Sequence, residues 1–124
     1  MSAYAITSRM RAKQGMEEEF AELLVAYEKS CAGHPGLISH CLQRNIDDPR
    51  EFLFHEIYDS KEHLIQHRAA PENKRWAPVR DAHIDERHVH TWELLNMEGP
   101  AALAWKKHDQ TGPFRTGTVP EERS

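Results

Sequence analysis

Apolar and polar side chains alternate along four stretches of this chain and recur at helical spacing along three others. From Glu51 to Tyr58, strand register places Phe52, Phe54, Glu56 and Tyr58 on one face and Leu53, His55 and Ile57 on the other. Both faces are partly apolar, which predicts a strand covered on two sides. Asp59 and Ser60 then offer side-chain oxygens for an N-cap, and a helix from Lys61 to Arg68 carries Leu64, Ile65 and His67 until Ala70-Pro71 interrupts it. The strand thus delivers the chain into a helix lying over the sheet.

Tyr4 to Arg11 alternates as Tyr4, Ile6, Ser8 and Met10 against Ala5, Thr7, Arg9 and Arg11, and reads as a first strand. After the turn Lys13-Gln14-Gly15, the apolar stripe Met16, Phe20, Leu23, Leu24, Tyr27 and Cys31 predicts a helix, with Glu17, Glu18 and Glu19 facing its exposed first amides. Gly33-His34-Pro35-Gly36 ends that helix. Leu37 to Arg44 reads as the second strand, and Ile46 to Pro49 as a hairpin loop into the third. Trp76, Val79, Arg80 and His83 share helical spacing between Pro71 and His83, where Pro78 is expected to break or kink the segment. Arg87 to Leu95 alternates again and supplies a fourth strand.

The order strand, helix, strand, strand, helix, strand is that of an α+β, ferredoxin-like βαββαβ fold, an antiparallel four-stranded sheet with helices on one face. The other sheet face needs a cover, and a second copy of the chain is the economical source, which predicts a homodimer. A chain of 124 residues accommodates one such domain, residues 1–97, followed by a polar extension, residues 98–124. The extension holds only Leu103, Trp105 and Phe114 as large apolar groups, so it is expected either to be disordered or to dock as an arm on the neighbouring subunit.

Charge and composition narrow the partners. A net charge of −4 without a basic cluster argues against nucleic acid. No apolar run approaches the ~20 residues needed to cross a bilayer, and the N-terminus lacks a signal-peptide pattern, so a cytoplasmic protein is expected. Cys31 and Cys41 form neither a disulfide framework nor a familiar ligand pair, and are expected to be reduced packing residues. No phosphate-binding glycine loop, nucleophile elbow or dinucleotide fingerprint is present.

The GMEEEF helix start, the passage AGHPGLISHCLQR, the loop and strand DDPREFLFHEIYDS and the segment QHRAAPENKRW together resemble the antibiotic biosynthesis monooxygenase domains of the dimeric α+β barrel superfamily. The matching features span Tyr4 to Leu95. The resemblance implies a homodimer and a cofactor-independent monooxygenase that uses dioxygen as co-substrate on a small electron-rich aromatic such as a quinol, anthrone or related phenol. It leaves open a non-catalytic dimeric small-molecule-binding protein, a haem-degrading enzyme, or an isomerase or lyase. Haem-degrading relatives place asparagine, tryptophan and histidine where this chain has Thr7, His67 and Ala77, so the cofactor-free reading ranks above them.

His67 matches the family's helix histidine, and its imidazole is a candidate base for a phenolic proton. Glu56 is a candidate to orient that imidazole or, if buried, to act as base itself; an ion pair with Arg9, Arg44 or Arg87 is the plainer alternative. Tyr58 and Trp76 are expected to shape an aromatic slot, although a helix tryptophan more often serves as core. Asn73, Arg80, His83 and His40 are further substrate-binding candidates. His63 with His67, and His88 with His90, have spacings that would suit a metal only if a third ligand converged, so no metal site is expected.

Overall fold

A computed structural model describes residues 3–100 and residue 102. The elements run β1 (Tyr4–Ala12), α1 (Glu17–Ser30), β2 (Leu37–Asn45), β3 (Asp48–Tyr58), α2 (Lys61–Ala69), α3 (Pro71–His83) and β4 (Ile84–Glu93). The four strands form one sheet in the order β2-β3-β1-β4, all pairs antiparallel. This is the expected ferredoxin-like α+β arrangement.

Register fixes which side chains share a face. Ile6 lies opposite Glu56, Ser8 opposite Phe54 and Val89, and Met10 opposite Phe52 and Arg87. These positions face the helices. The main core joins Met10, Phe52 and Phe54 of the sheet to Phe20, Leu24 and Tyr27 of α1 and Trp76 of α3. Trp76 stacks on Phe20 at 6.0 Å and on Tyr27 at 4.8 Å between ring centroids, so the aromatic wedge joins α3 to α1. A smaller cluster of Ile6, Tyr58 and Leu64 seats α2.

Several boundaries differ from the sequence expectations. The hairpin is tighter than Ile46 to Pro49: Asn45 pairs with Asp48, and the Asp47 amide donates to Asn45 Oδ1 at 2.8 Å. Ser60 caps α2, its Oγ accepting from the His63 amide at 3.2 Å. α3 continues unbroken through Pro78. Pro78 and Lys74, whose carbonyl loses its helical donor there, are both exposed, so water can satisfy that carbonyl while Trp76 holds the helix to the core. Met16 is exposed at the N-cap, so the buried stripe of α1 starts at Phe20. β4 begins at Ile84, directly after α3, rather than at Arg87.

Gly36, at φ +76°, lies where an added Cβ would overlap the His63 ring and the Asp59 carboxylate, so the turn between α1 and β2 needs glycine. Cys31 is fully buried, whereas Cys41 is exposed on β2, so only the first is a packing residue. The helix-free face carries Leu53, His55, Ile57 and a Trp92 that is 51% exposed, its Nε1–H donating to Thr7 Oγ1 at 2.8 Å. Among the described residues no helix is long and apolar enough to cross a membrane. The expectations for Trp105 and Phe114 lie outside the described residues.

Candidate active site

A pocket opens between the sheet and the three helices, with about 500 Å³ of space including its open mouth. Ile6, Met10, Phe54 and Val89 give it an apolar floor, while Tyr27 and Trp76 form an aromatic wall. Glu56, His67, Arg68, Asn73, Arg80 and Arg87 supply the polar groups. That combination suits a planar ligand carrying a few oxygens.

Among the described residues, Glu56 and His67 are the two buried polar or charged side chains, at 7% and 6% exposure. β3 presents Glu56 because the strand period puts it on the face of Phe52 and Phe54. α2 presents His67 because it falls three residues after Leu64, on the buried side of the helix. His67 Nε2 lies 3.4 Å from Glu56 Oε1. On its other side, His67 Nδ1 shares a hydrogen bond with His34 Nδ1 at 2.9 Å, and His34 Nε2 faces Glu72 Oε1 at 3.5 Å. Glu72, His34, His67 and Glu56 thus form a line in which each imidazole has a carboxylate on its outer nitrogen.

Both nitrogens of His67 are occupied. Glu56 Oε2, by contrast, is buried without a hydrogen-bond partner. A buried oxygen with nothing to accept from is open to a hydrogen bond from a ligand in this pocket. Arg9 pairs with Glu51 and Arg44 with Glu18, so neither neutralises Glu56.

Other groups fix the walls. The Tyr27 hydroxyl donates to Asn73 Oδ1 at 3.2 Å, and Asn73 Nδ2 donates to the Arg68 carbonyl at 3.0 Å, tying α1 to the α2–α3 junction. Burial, followed by its hydrogen bond with Cys31, pushes the Tyr27 phenol well above its ordinary range, so it remains a donor. Burial and then the Glu56 charge do the same to Tyr58. Partial burial, then the Arg80 guanidinium nearby, holds Arg87 below the usual arginine value. Arg87, and Arg80 whose Nε donates to Asp81 Oδ1 at 2.9 Å, both line the pocket, where they favour a ligand that is, or becomes, an anion.

Among the sequence candidates, His67, Glu56, Trp76, Asn73 and Arg80 meet around this pocket. Tyr58 does not line it; fully buried, it backs His67 with ring centroids 5.1 Å apart. His40 lies across the strand pair from Glu56, outside the lining, its ring 6.2 Å from Phe54. His83 stacks on Phe20 and bonds the Val79 carbonyl and Glu19 Oε2, each at 2.8 Å, outside the pocket as well. Thr7, near the haem branch's first position, points to the helix-free face with Trp92.

Sequence reasoning missed His34 as a site residue, since Gly33-His34-Pro35-Gly36 reads fully as a turn; Cys31 three residues earlier was the available signal. Among the described residues, neither spaced pair gathers a third ligand as a pair; His63 bonds Asp59 at 2.6 Å, and His88 faces Glu86 at 3.8 Å. One donor atom from each of Cys31, His34 and His67 does converge, all within 4.8 Å of one another.

Comparison with known proteins places this geometry in a family. The family model described as antibiotic biosynthesis monooxygenase matches residues 3–79. No curated protein matches the chain. Similar solved structures include a protein from Shewanella oneidensis, with TM-score 0.71 and 19% identity over 75% of this chain and 91% of that one. A protein from Pseudomonas aeruginosa has TM-score 0.71 and 16% identity over 77% and 97%. SnoaB from Streptomyces nogalater, described as a cofactor-independent oxygenase, has TM-score 0.71 and 16% identity over 81% and 99%. At these identities the likeness establishes the fold.

Proposed function

This chain belongs to the antibiotic biosynthesis monooxygenase family, and from that premise we propose that it is a cofactor-independent oxygenase for a small electron-rich aromatic, a quinol, anthrone or related phenol. The observation that carries this reading is the unpartnered oxygen of Glu56 in an otherwise aromatic and apolar pocket. Glu56 Oε2 takes the acidic proton of the substrate. His67, whose Nε2 faces the other oxygen and whose Nδ1 is held by His34, positions the carboxylate. Arg80 and Arg87 hold the substrate oxygen as negative charge develops on it. Relative to the sequence expectation, base and orienting group exchange roles.

The substrate anion then passes one electron to dioxygen, and the resulting radical pair combines to a peroxide. For a methylene carbon flanked by aromatic rings, loss of the remaining C–H proton with cleavage of the O–O bond leaves a carbonyl. The second oxygen departs as water, carrying the two protons removed. One dioxygen is consumed per carbonyl formed, and no electron donor other than substrate is needed. Contact with the edge of Trp76, whose faces pack on Phe20 and Tyr27, and exclusion of water by the apolar floor orient the anion and preserve its reactivity. The helix-free sheet face with Leu53 and Trp92 supports a homodimer, and two free thiols support a reducing, cytoplasmic setting.

The test is oxygen uptake by untagged, metal-stripped protein against a panel of quinols and anthrones, with absorbance following the quinone product. Glu56→Gln, with an unchanged circular dichroism spectrum, is expected to lower turnover by about 100-fold or more. No uptake across the panel, or full activity in Glu56→Gln, overturns the proposal.

A further inference from the structure

We propose that Cys31, His34 and His67 bind a divalent ion of the zinc class, with one ion per chain beside the pocket. This rests on the geometry of the three side chains, independently of the oxygenase reading. The donors come from two places in the fold: Cys31, which caps the C-terminus of α1, and His34, three residues on in the same turn, meet His67 from the last turn of α2. The fold therefore brings a local thiol–imidazole pair and an imidazole more than thirty residues away to one point, the three donor atoms within 4.8 Å of one another. Thiolate plus imidazole is the donor set that borderline-soft divalent ions prefer.

The second observation concerns the atoms behind the ligands. A histidine that binds metal through one nitrogen commonly donates its other N–H to a carboxylate, which fixes ring and tautomer. Both histidines have a carboxylate in ion-pair range of that nitrogen, His67 Nε2 3.4 Å from Glu56 and His34 Nε2 3.5 Å from Glu72, and the buried His34 Nε2 makes no hydrogen bond in the unliganded chain. The two Nδ1 atoms are thereby turned toward each other, 2.9 Å apart. Around a tetrahedral ion two nitrogens stand about 3.4 Å apart, so a shift of roughly half an ångström converts the shared proton's place into an ion's. Binding breaks the Cys31 S–H bond and displaces the proton held between the Nδ1 atoms; both protons pass to solvent, and no oxidation state changes. Three protein ligands leave a fourth position for water. His34, with a side chain 10% exposed, and Glu72, 33% exposed, mark the side from which an ion enters.

A cobalt(II) titration of untagged, reduced, metal-stripped full-length protein tests this. The expected result is one cobalt per chain, with tetrahedral visible bands and a thiolate-to-cobalt charge-transfer band, all removed when zinc is added. Cys31→Ser is expected to abolish the charge-transfer band. Because Cys31 is buried, two variants nearer the surface stand beside it: His34→Asn, expected to weaken binding about 100-fold, and Glu72→Gln, about tenfold. Absence of a stoichiometric charge-transfer band in the wild type overturns the proposal. So does wild-type affinity in folded His34→Asn, which would assign the cobalt to other histidines.

Discussion

A buried carboxylate oxygen without a donor costs on the order of 1–3 kcal/mol, and Glu56 bears that cost in the unliganded chain. A ligand hydroxyl placed against it recovers the missing bond, which is why Glu56 dominates the reading of the pocket. Arg80 and Arg87 line the same pocket. Replacing Arg87 by Met, at a position whose guanidinium is already partly desolvated, is expected to lower kcat/KM about tenfold or more without lowering Tm; unchanged steady-state kinetics would remove Arg87 from the site. Glu56 and His67 were legible in the sequence because a strand period and a helix period each fix where one polar residue falls among apolar ones. His34 and Arg87 were not. His34 belongs to a turn whose glycine and proline account for the local chain, and Arg87 sits on a strand whose alternation does not say which face meets helices.

At the scale of elements, six of the seven were legible as type and order, since each carries a period and a punctuating Gly, Pro or cap; the seventh, α3, was legible except for its continuity. Its passage through Pro78 depends on tertiary packing by Trp76, which local propensity does not encode. The same packing creates a pH-sensitive link between α3 and α1. A hydrogen bond to Glu19, then one to the Val79 carbonyl, raises the His83 pKa above its usual 6.5. Protonated His83 therefore stabilises the fold fully below about pH 6.5, and that contribution disappears as pH rises through the raised value. Wild type is expected to exceed His83→Gln in Tm by a few degrees at pH 6, with the gap narrowing toward pH 9. A gap constant across that range would show that stacking on Phe20, not charge, is what His83 provides.

For the whole molecule, the sheet is dressed unevenly. Helices cover one face, while the other leaves Trp92 half exposed beside Ala5, Thr7 and Ile57. The apolar residues on both sides of β3 are what carry the sequence expectation of a cover for that face. Light scattering is expected to give about twice the 14.4 kDa chain mass for wild type and the single-chain mass for Trp92→Glu. A wild type of single-chain mass would end the dimer proposal.

Trp76 and Trp92 also make the molecule its own optical instrument. Trp76 is held between Phe20 and Tyr27 in the pocket wall and emits from a dry setting, whereas Trp92 emits from a wet one until its sheet face is covered. In a Trp105→Phe background, an aromatic ligand is expected to quench the blue component, and dissociation of the proposed dimer on dilution is expected to shift the red one. One fluorescence cuvette then separates filling of the pocket from pairing of the sheets.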